Sequence, residues 1–596
     1  MIATRLRPAL LSSGVLAIVT ALAVTACDSK SDEAPNSVSS PEGGADKRED
    51  NKAEEAAKSD AAMPIFAEDG GAAGAAEPSA VFAPEPPPAR PEAREEEAPP
   101  PGYRTKLEKT QGGDGDGDEA SIAERYFTHY GVNPTIETRE NPFSTFGVDV
   151  DTAAYVMARS YLDRGELPPE DAIRVEEVVN YFDYHYAPPE EGDFSLHAEV
   201  VPSPQREGYH LLHLGVKGKE ISAAQRPDAN LVFVIDVSGS MGSQGRLQLV
   251  KDSLRLLVDQ LRATDRVGVV VYGSSARVVL PPTPGSERST ILAAIDGLGT
   301  EGSTNVEAGL RLGYEQAQKQ ARGAGINRVV LCSDGVANTG ATTADALLRQ
   351  VEQHAAEGIT ITTIGVGMGS YNDTLMEQLA DKGNGNYSYV DDLGEARRVF
   401  VDHLTGTLQV IAKDVKLQIE LDPAAVARYR LLGYENRGLS REDFDDDRKD
   451  AGELGAGHTV TALYEIKLQP GEHATLGTLR VRYKAPRSES SQLLERPLPA
   501  SLVRSAWEEA APPTQLSVVA AAYAEKLRGS YWVRNLGWSE VQRLYDGIDQ
   551  GLRDEAEVRE LGRLIDRAAG LDHRVDKFEA ELPVARMDFD RVPVLQ

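Results

Sequence analysis

The ten residues Leu231–Ser240, LVFVIDVSGS, constrain the fold more than any other stretch of the chain. A run of apolar, mostly β-branched side chains reads as a strand buried on both faces, the kind found inside parallel sheets. The chain then turns, and alternate residues Asp236, Ser238 and Ser240 are aimed at one point, with Gly239 allowing a tight bend. Two later segments belong with it. Thr304 sits in the turn EGSTN ahead of the helical run VEAGLRLGYEQAQKQA, and Asp334 closes the apolar run RVVLCSDG.

Hydroxyl and carboxylate oxygens without His or Cys are hard ligands, suited to Mg²⁺ first and to Mn²⁺ or Ca²⁺ as alternatives. Three neutral hydroxyls and two carboxylates acting mostly through water leave such an ion positively charged. That charge favours an acidic group supplied from outside. A Ser/Gly turn after a core strand is the plainer reading of DxSxS alone. The placement of Thr304 and Asp334 at the ends of further elements argues against it.

The segment 230–412 resembles a von Willebrand factor type A (VWA) domain, the fold of integrin inserted domains, on the strength of DVSGS, STN and SDG. The resemblance implies that Ser238, Ser240 and Thr304 coordinate a divalent ion, with Asp236 and Asp334 bound directly or through water. It also implies that a protein partner's Asp or Glu completes the shell. Ser303 stands where a glycine is common in that family.

The rest of the segment agrees. RLQLVKDSLRLLVDQL is amphipathic at helical spacing, RVGVVVYGSSARVVL reads as two strands, and ITITTIGVGM as a buried one. LGEARRVFVDHLTGTL reads as a closing helix. Alternating strands and helices predict an α/β, doubly wound parallel sheet, with ligands held beyond the carboxyl ends of its strands.

Before and after this domain, residues 195–229 and 413–500 carry alternating strand patterns such as VKLQIEL. They predict two parts of one β-sandwich with the VWA domain inserted between them; separate small sheets are the alternative. Residues 501–596 read as helical, with Trp532 and Trp538 as core anchors. Residues 121–194 form an α+β extension. Together, extension, VWA domain and helical end resemble a group of bacterial VWA lipoproteins whose C-terminal domain has no known function.

Arg5 and Arg7 precede an apolar stretch and the sequence VTAC ending at Cys27. Residues 1–26 read as a secretory signal whose last residues resemble a bacterial lipobox, which implies that Cys27 is the lipidated first mature residue; the apolar run is short for a membrane span. This places the protein in a bacterial cell envelope, lipid-anchored to the inner or outer membrane. Residues 27–120, rich in Ala, Glu, Pro and Asp, predict a disordered tether. A formal net charge of −31 argues against nucleic-acid partners.

Enzymatic readings fare poorly. Asp149-Val-Asp151 imitates a phosphatase nucleophile and acid pair but lacks the Thr or Val expected at position 153, which is Ala. His210 and His213, three apart on a strand, lie on opposite faces and do not form a metal pair. The acidic run from Asp443 to Asp450 reads as a solvated loop, with self-association through a neighbour's ion as the sharper alternative. The expectation is a non-enzymatic adhesion or scaffolding protein; the alternative is an envelope assembly or regulatory factor within a larger complex. The sequence leaves the partner and the oligomeric state open.

Overall fold

The computed structural model describes residues 130–575, apart from 149, 223, 322, 324, 336–343 and 368–372. Cys27, the signal segment, the tether and Asp149 lie outside the described residues.

The central sheet has the order Tyr387–Val390, Thr360–Val366, Ile326–Ser333, Ala229–Asp236, Arg266–Tyr272, Ala276–Pro284. Every pairing is parallel except the last. Its middle strand explains the apolar run directly. Leu231, Phe233 and Ile235 enter one core, with the helix Arg246–Gln260, while Val232 and Val234 enter the opposite one. Helices cover both faces, as a doubly wound sheet requires. The closing helix is broken: α-helical turns at Leu393–Arg397 and Leu404–Leu408 flank a π turn at Arg398–Asp402. There Arg398 turns back to donate to the Tyr181 carbonyl (2.9 Å) and to pair with Glu395 (2.9 Å).

Two antiparallel sheets enclose a separate core and form the expected sandwich. Residues of the extension enter both: Ile136–Glu137 pairs with Val426–Leu432, and Phe143–Gly147 lies between Gly438–Leu439 and Val410–Leu421. The VWA segment leaves this sandwich after His210–Gly218 and returns at Val410–Leu421.

The helical end is not a free bundle. Helices Pro512–Leu527 and Ala556–Leu571 share one core with Ala153–Asp163 of the extension and with one face of the VWA domain. Arg159 fastens this junction. It grips Asp391 through Nε (3.0 Å) and Nη2 (2.5 Å), and reaches Glu395 (3.1 Å) and Glu560 (3.0 Å). Asp151, the second acid of the phosphatase-like pair, is 4 % exposed and accepts the Tyr387 amide (2.9 Å). It ties the start of the extension's helix to the edge of the VWA sheet.

His213, on a sandwich strand, ties the sandwich to the extension and to the helical end. Ser517 Oγ donates to the Thr514 carbonyl (3.0 Å), so it accepts from His213 Nδ1 (2.9 Å); Nε2 then accepts the Tyr186 hydroxyl (2.7 Å). Burial pushes this imidazole down to about 4. Protonation therefore favours the unfolded chain: the contribution is intact above the unfolded value of about 6.5 and is lost as pH falls toward 4. At pH 5 the loss is about 2 kcal/mol. Denaturant unfolding of wild type and His213→Gln at pH 7 and pH 5 is expected to show wild type losing about 2 kcal/mol more than the variant.

The acidic run 443–450 differs from a freely solvated loop. Lys416 Nζ donates to the carbonyls of Asp443 (2.8 Å) and Asp446 (2.6 Å), and Asp447 takes Arg482 (2.8 Å) and the Ser491 hydroxyl (2.5 Å). These partners belong to the sandwich itself, so the run is tied to it through two backbone carbonyls and the Asp447 carboxylate.

Candidate metal centre

Asp236 ends the central strand at the carboxyl edge of the sheet, and Asp334 follows the neighbouring parallel strand, so the topology brings the two acids together. A chain of contacts joins four of the five predicted residues. Ser238 Oγ lies 3.0 Å from Ser240 Oγ, and Ser240 Oγ donates to Asp334 Oδ1 at 3.0 Å. Asp236 is fully buried; its Oδ1 accepts the Ser238 amide (2.8 Å) and its Oδ2 the Ser333 hydroxyl (3.0 Å). Burial raises its carboxyl above the ordinary value; these hydrogen bonds work against the rise, and the Asp334 charge adds to it.

Thr304 comes from a different element, yet its turn is stitched to the same place. The Gly239 amide donates to the Gly302 carbonyl (3.2 Å), and the Glu301 amide to the Val237 carbonyl (2.5 Å). Asn305 caps the following helix, Val306–Lys319, by accepting the Ala308 amide (3.0 Å). Ser303 departs from the expected glycine, and its amide donates to Ser274 Oγ (3.0 Å).

Gly302 has a φ of +74°, and a Cβ there would stand 2.4 Å from Ser274 Oγ and 2.7 Å from its amide nitrogen. Gly302→Ala is expected to dislodge the Thr304 turn at a cost of about 1–3 kcal/mol, read as roughly tenfold weaker Mg²⁺ binding in a protein with unchanged circular dichroism. Gly239 opens the tight 3₁₀ segment Gly239–Gly245 that follows Ser238, and the left-handed residues of that segment are Gln244 (φ +52°) and Gly245 (φ +74°).

The donors fit a hard divalent cation: two carboxylates and two hydroxyls in mutual contact, with a third hydroxyl on the adjoining turn. Among the described residues no three His, Cys, Asp or Glu side chains gather as a metal cluster, so hydroxyls must complete any shell here. Cys332, two residues before Asp334, is buried and its thiol is pushed up to about 12 by that burial. It is a packing residue. The residue that sequence reasoning missed is Arg246, whose Nη1 lies 2.5 Å from Asp334 Oδ2. In sequence it reads only as a charge at the start of an amphipathic helix.

The sheet topology and the acid-bearing turns define a VWA-domain protein. The family model described as von Willebrand factor type A domain matches residues 230–401, that of von Willebrand factor 121–213, and that of Uncharacterized protein YfbK, C-terminal, 406–475 and 469–571. The chain is 39 % identical over 445 residues to the protein YfbK of Escherichia coli, across 70 % of this chain and 76 % of that one. It therefore belongs to the YfbK family. It is also 28 % identical to the Synechocystis protein sll0103, over 51 % of this chain and 71 % of the relative. A solved von Willebrand factor type A structure from Catenulispora acidiphila aligns with 64 % of this chain and 91 % of its own, at 18 % identity and a TM-score of 0.39. The fold assignment rests on the strand order and the family model rather than on that likeness. VWA domains act as protein-interaction or adhesion modules and commonly bind a divalent metal, and this chain carries such a module.

Proposed function

We propose that the protein holds a protein partner by sharing a divalent cation, most readily Mg²⁺, between its own oxygens and an acidic side chain of that partner. The observation that carries this reading is the contact chain Ser238–Ser240–Asp334, closed by Asp236, at the carboxyl end of the central strands. A bound divalent ion supplies a positive charge that a carboxylate can bridge. The chain's own residues do the rest. Asp236, fixed by the Ser238 amide and the Ser333 hydroxyl, keeps one carboxylate aimed inward. Ser238, Ser240 and Thr304 offer neutral oxygens, which leaves charge to be answered from outside. Asp334 supplies the second carboxylate. No step makes or breaks a covalent bond, so the reading is adhesion or scaffolding rather than catalysis.

We also propose, from Arg5, Arg7 and the apolar stretch ending in VTAC, that the site works in the cell envelope, anchored through lipid on Cys27. Full-length tagged protein and Asp236→Ala recovered from envelope membranes in Mg²⁺ or EDTA test the first part. The expected result is a partner retained only by wild type in Mg²⁺; equal recovery in all four samples contradicts the metal bridge. For the anchor, Cys27→Ser is expected to shift the protein from the membrane to the soluble fraction and to abolish incorporation of labelled palmitate. Unchanged labelling would remove Cys27 as the lipid site.

A further inference from the structure

Arg246 sits in the candidate metal centre for reasons its own helix does not supply. It is the first residue of Arg246–Gln260, whose opening turn contains no acid, so its cation stands beside the positive end of the helix dipole. The left-handed residues Gln244 and Gly245 put it there. Its side chain is only 11 % exposed and runs past Gly367, where a Cβ would lie 2.3 Å from Arg246 Nε, 2.5 Å from Cδ and 2.7 Å from Cγ. Gly367 has a φ of +76°, so both its backbone and its lack of a side chain leave that passage open. The guanidinium ends on Asp334 Oδ2 at 2.5 Å, while Oδ1 takes the Ser240 hydroxyl at 3.0 Å. Both oxygens of the outer carboxylate are thus engaged.

We propose that Arg246 is an internal competitor for the divalent ion. It neutralises one of the two carboxylates, and an ion that draws on Asp334 must displace the guanidinium or bind against its charge. The inference rests on the metal reading above and concerns how tightly that site binds. For the ion to draw on Asp334, this charge-assisted contact must be given up, which is expected to weaken ion binding at least about tenfold.

The test is calorimetric titration of the full-length protein in detergent with MgCl₂ and, separately, MnCl₂. Wild type, Arg246→Gln, Arg246→Met and Arg246→Lys are compared, with thermal melts confirming that each is folded. Arg246→Gln and Arg246→Met are expected to bind both ions about tenfold or more tightly than wild type, and Arg246→Lys within about threefold of it. Equal or weaker binding by Gln and Met, with wild type still binding, would overturn the competitor and leave the metal site standing. Absence of saturable binding in every protein would instead bring down the metal reading, and this inference with it.

Discussion

Asp236→Ala is expected to weaken Mg²⁺ binding by about ten- to a hundredfold, the largest effect of any single change at the site. The carboxylate is fully buried, and it is the donor whose two oxygens are fixed by the site's own amide and hydroxyl. Losing a charged oxygen ligand removes a charge-assisted contact of about 1.5–3 kcal/mol, and the Ser238 turn loses its anchor as well. The fold is expected to survive, because Asp236 is held by neutral donors and its removal strands no cation. Calorimetry with Mg²⁺ reads the affinity, and far-ultraviolet circular dichroism reads the fold. A variant that binds Mg²⁺ as wild type does would show that the DVSGS turn is structural only.

Arg159→Ala is expected to destabilise the folded protein by about 3 kcal/mol, because it takes a shared counter-charge from one buried and two half-buried acids. Asp391 is 15 % exposed and Glu395 1 %, and both depend on this guanidinium, although Glu395 keeps Arg398 as a second partner. Glu560, on the helical end, is 24 % exposed and loses its tie to the VWA domain. The damage should therefore concentrate where three parts of the chain meet. Denaturant unfolding reads the total, and amide exchange is expected to rise first in Ala556–Leu571. A loss below about 1 kcal/mol would show that Tyr155 stacked on Tyr181 (3.9 Å between ring centres) and the apolar contacts hold the junction unaided.

The parts of this molecule that were legible in sequence are those whose signal is local. A strand buried on both faces must be apolar throughout, and a turn at its end must carry the acids. Both facts lie within ten residues at Leu231–Ser240. Long-range pairing leaves no such trace. Phe143–Gly147 is five residues long and finds its partner, Val410–Leu421, across the whole VWA domain, so its place inside the sandwich was hidden. Arg159 was equally opaque: in AAYVMARSYLD it reads as the polar face of a helix. Only the arrival of Asp391, Glu395 and Glu560 from distant segments makes that face an interior. Arg246 was missed for the same reason, since its partner Asp334 lies 88 residues away.

The most direct measurement of the central claim is the anomalous difference density of a crystal of the protein soaked in MnCl₂. The expected result is one strong peak among Ser238, Ser240, Thr304 and Asp334, lost when Asp236 is replaced by alanine. A peak elsewhere, or one that persists in Asp236→Ala, would contradict the metal-bridged site.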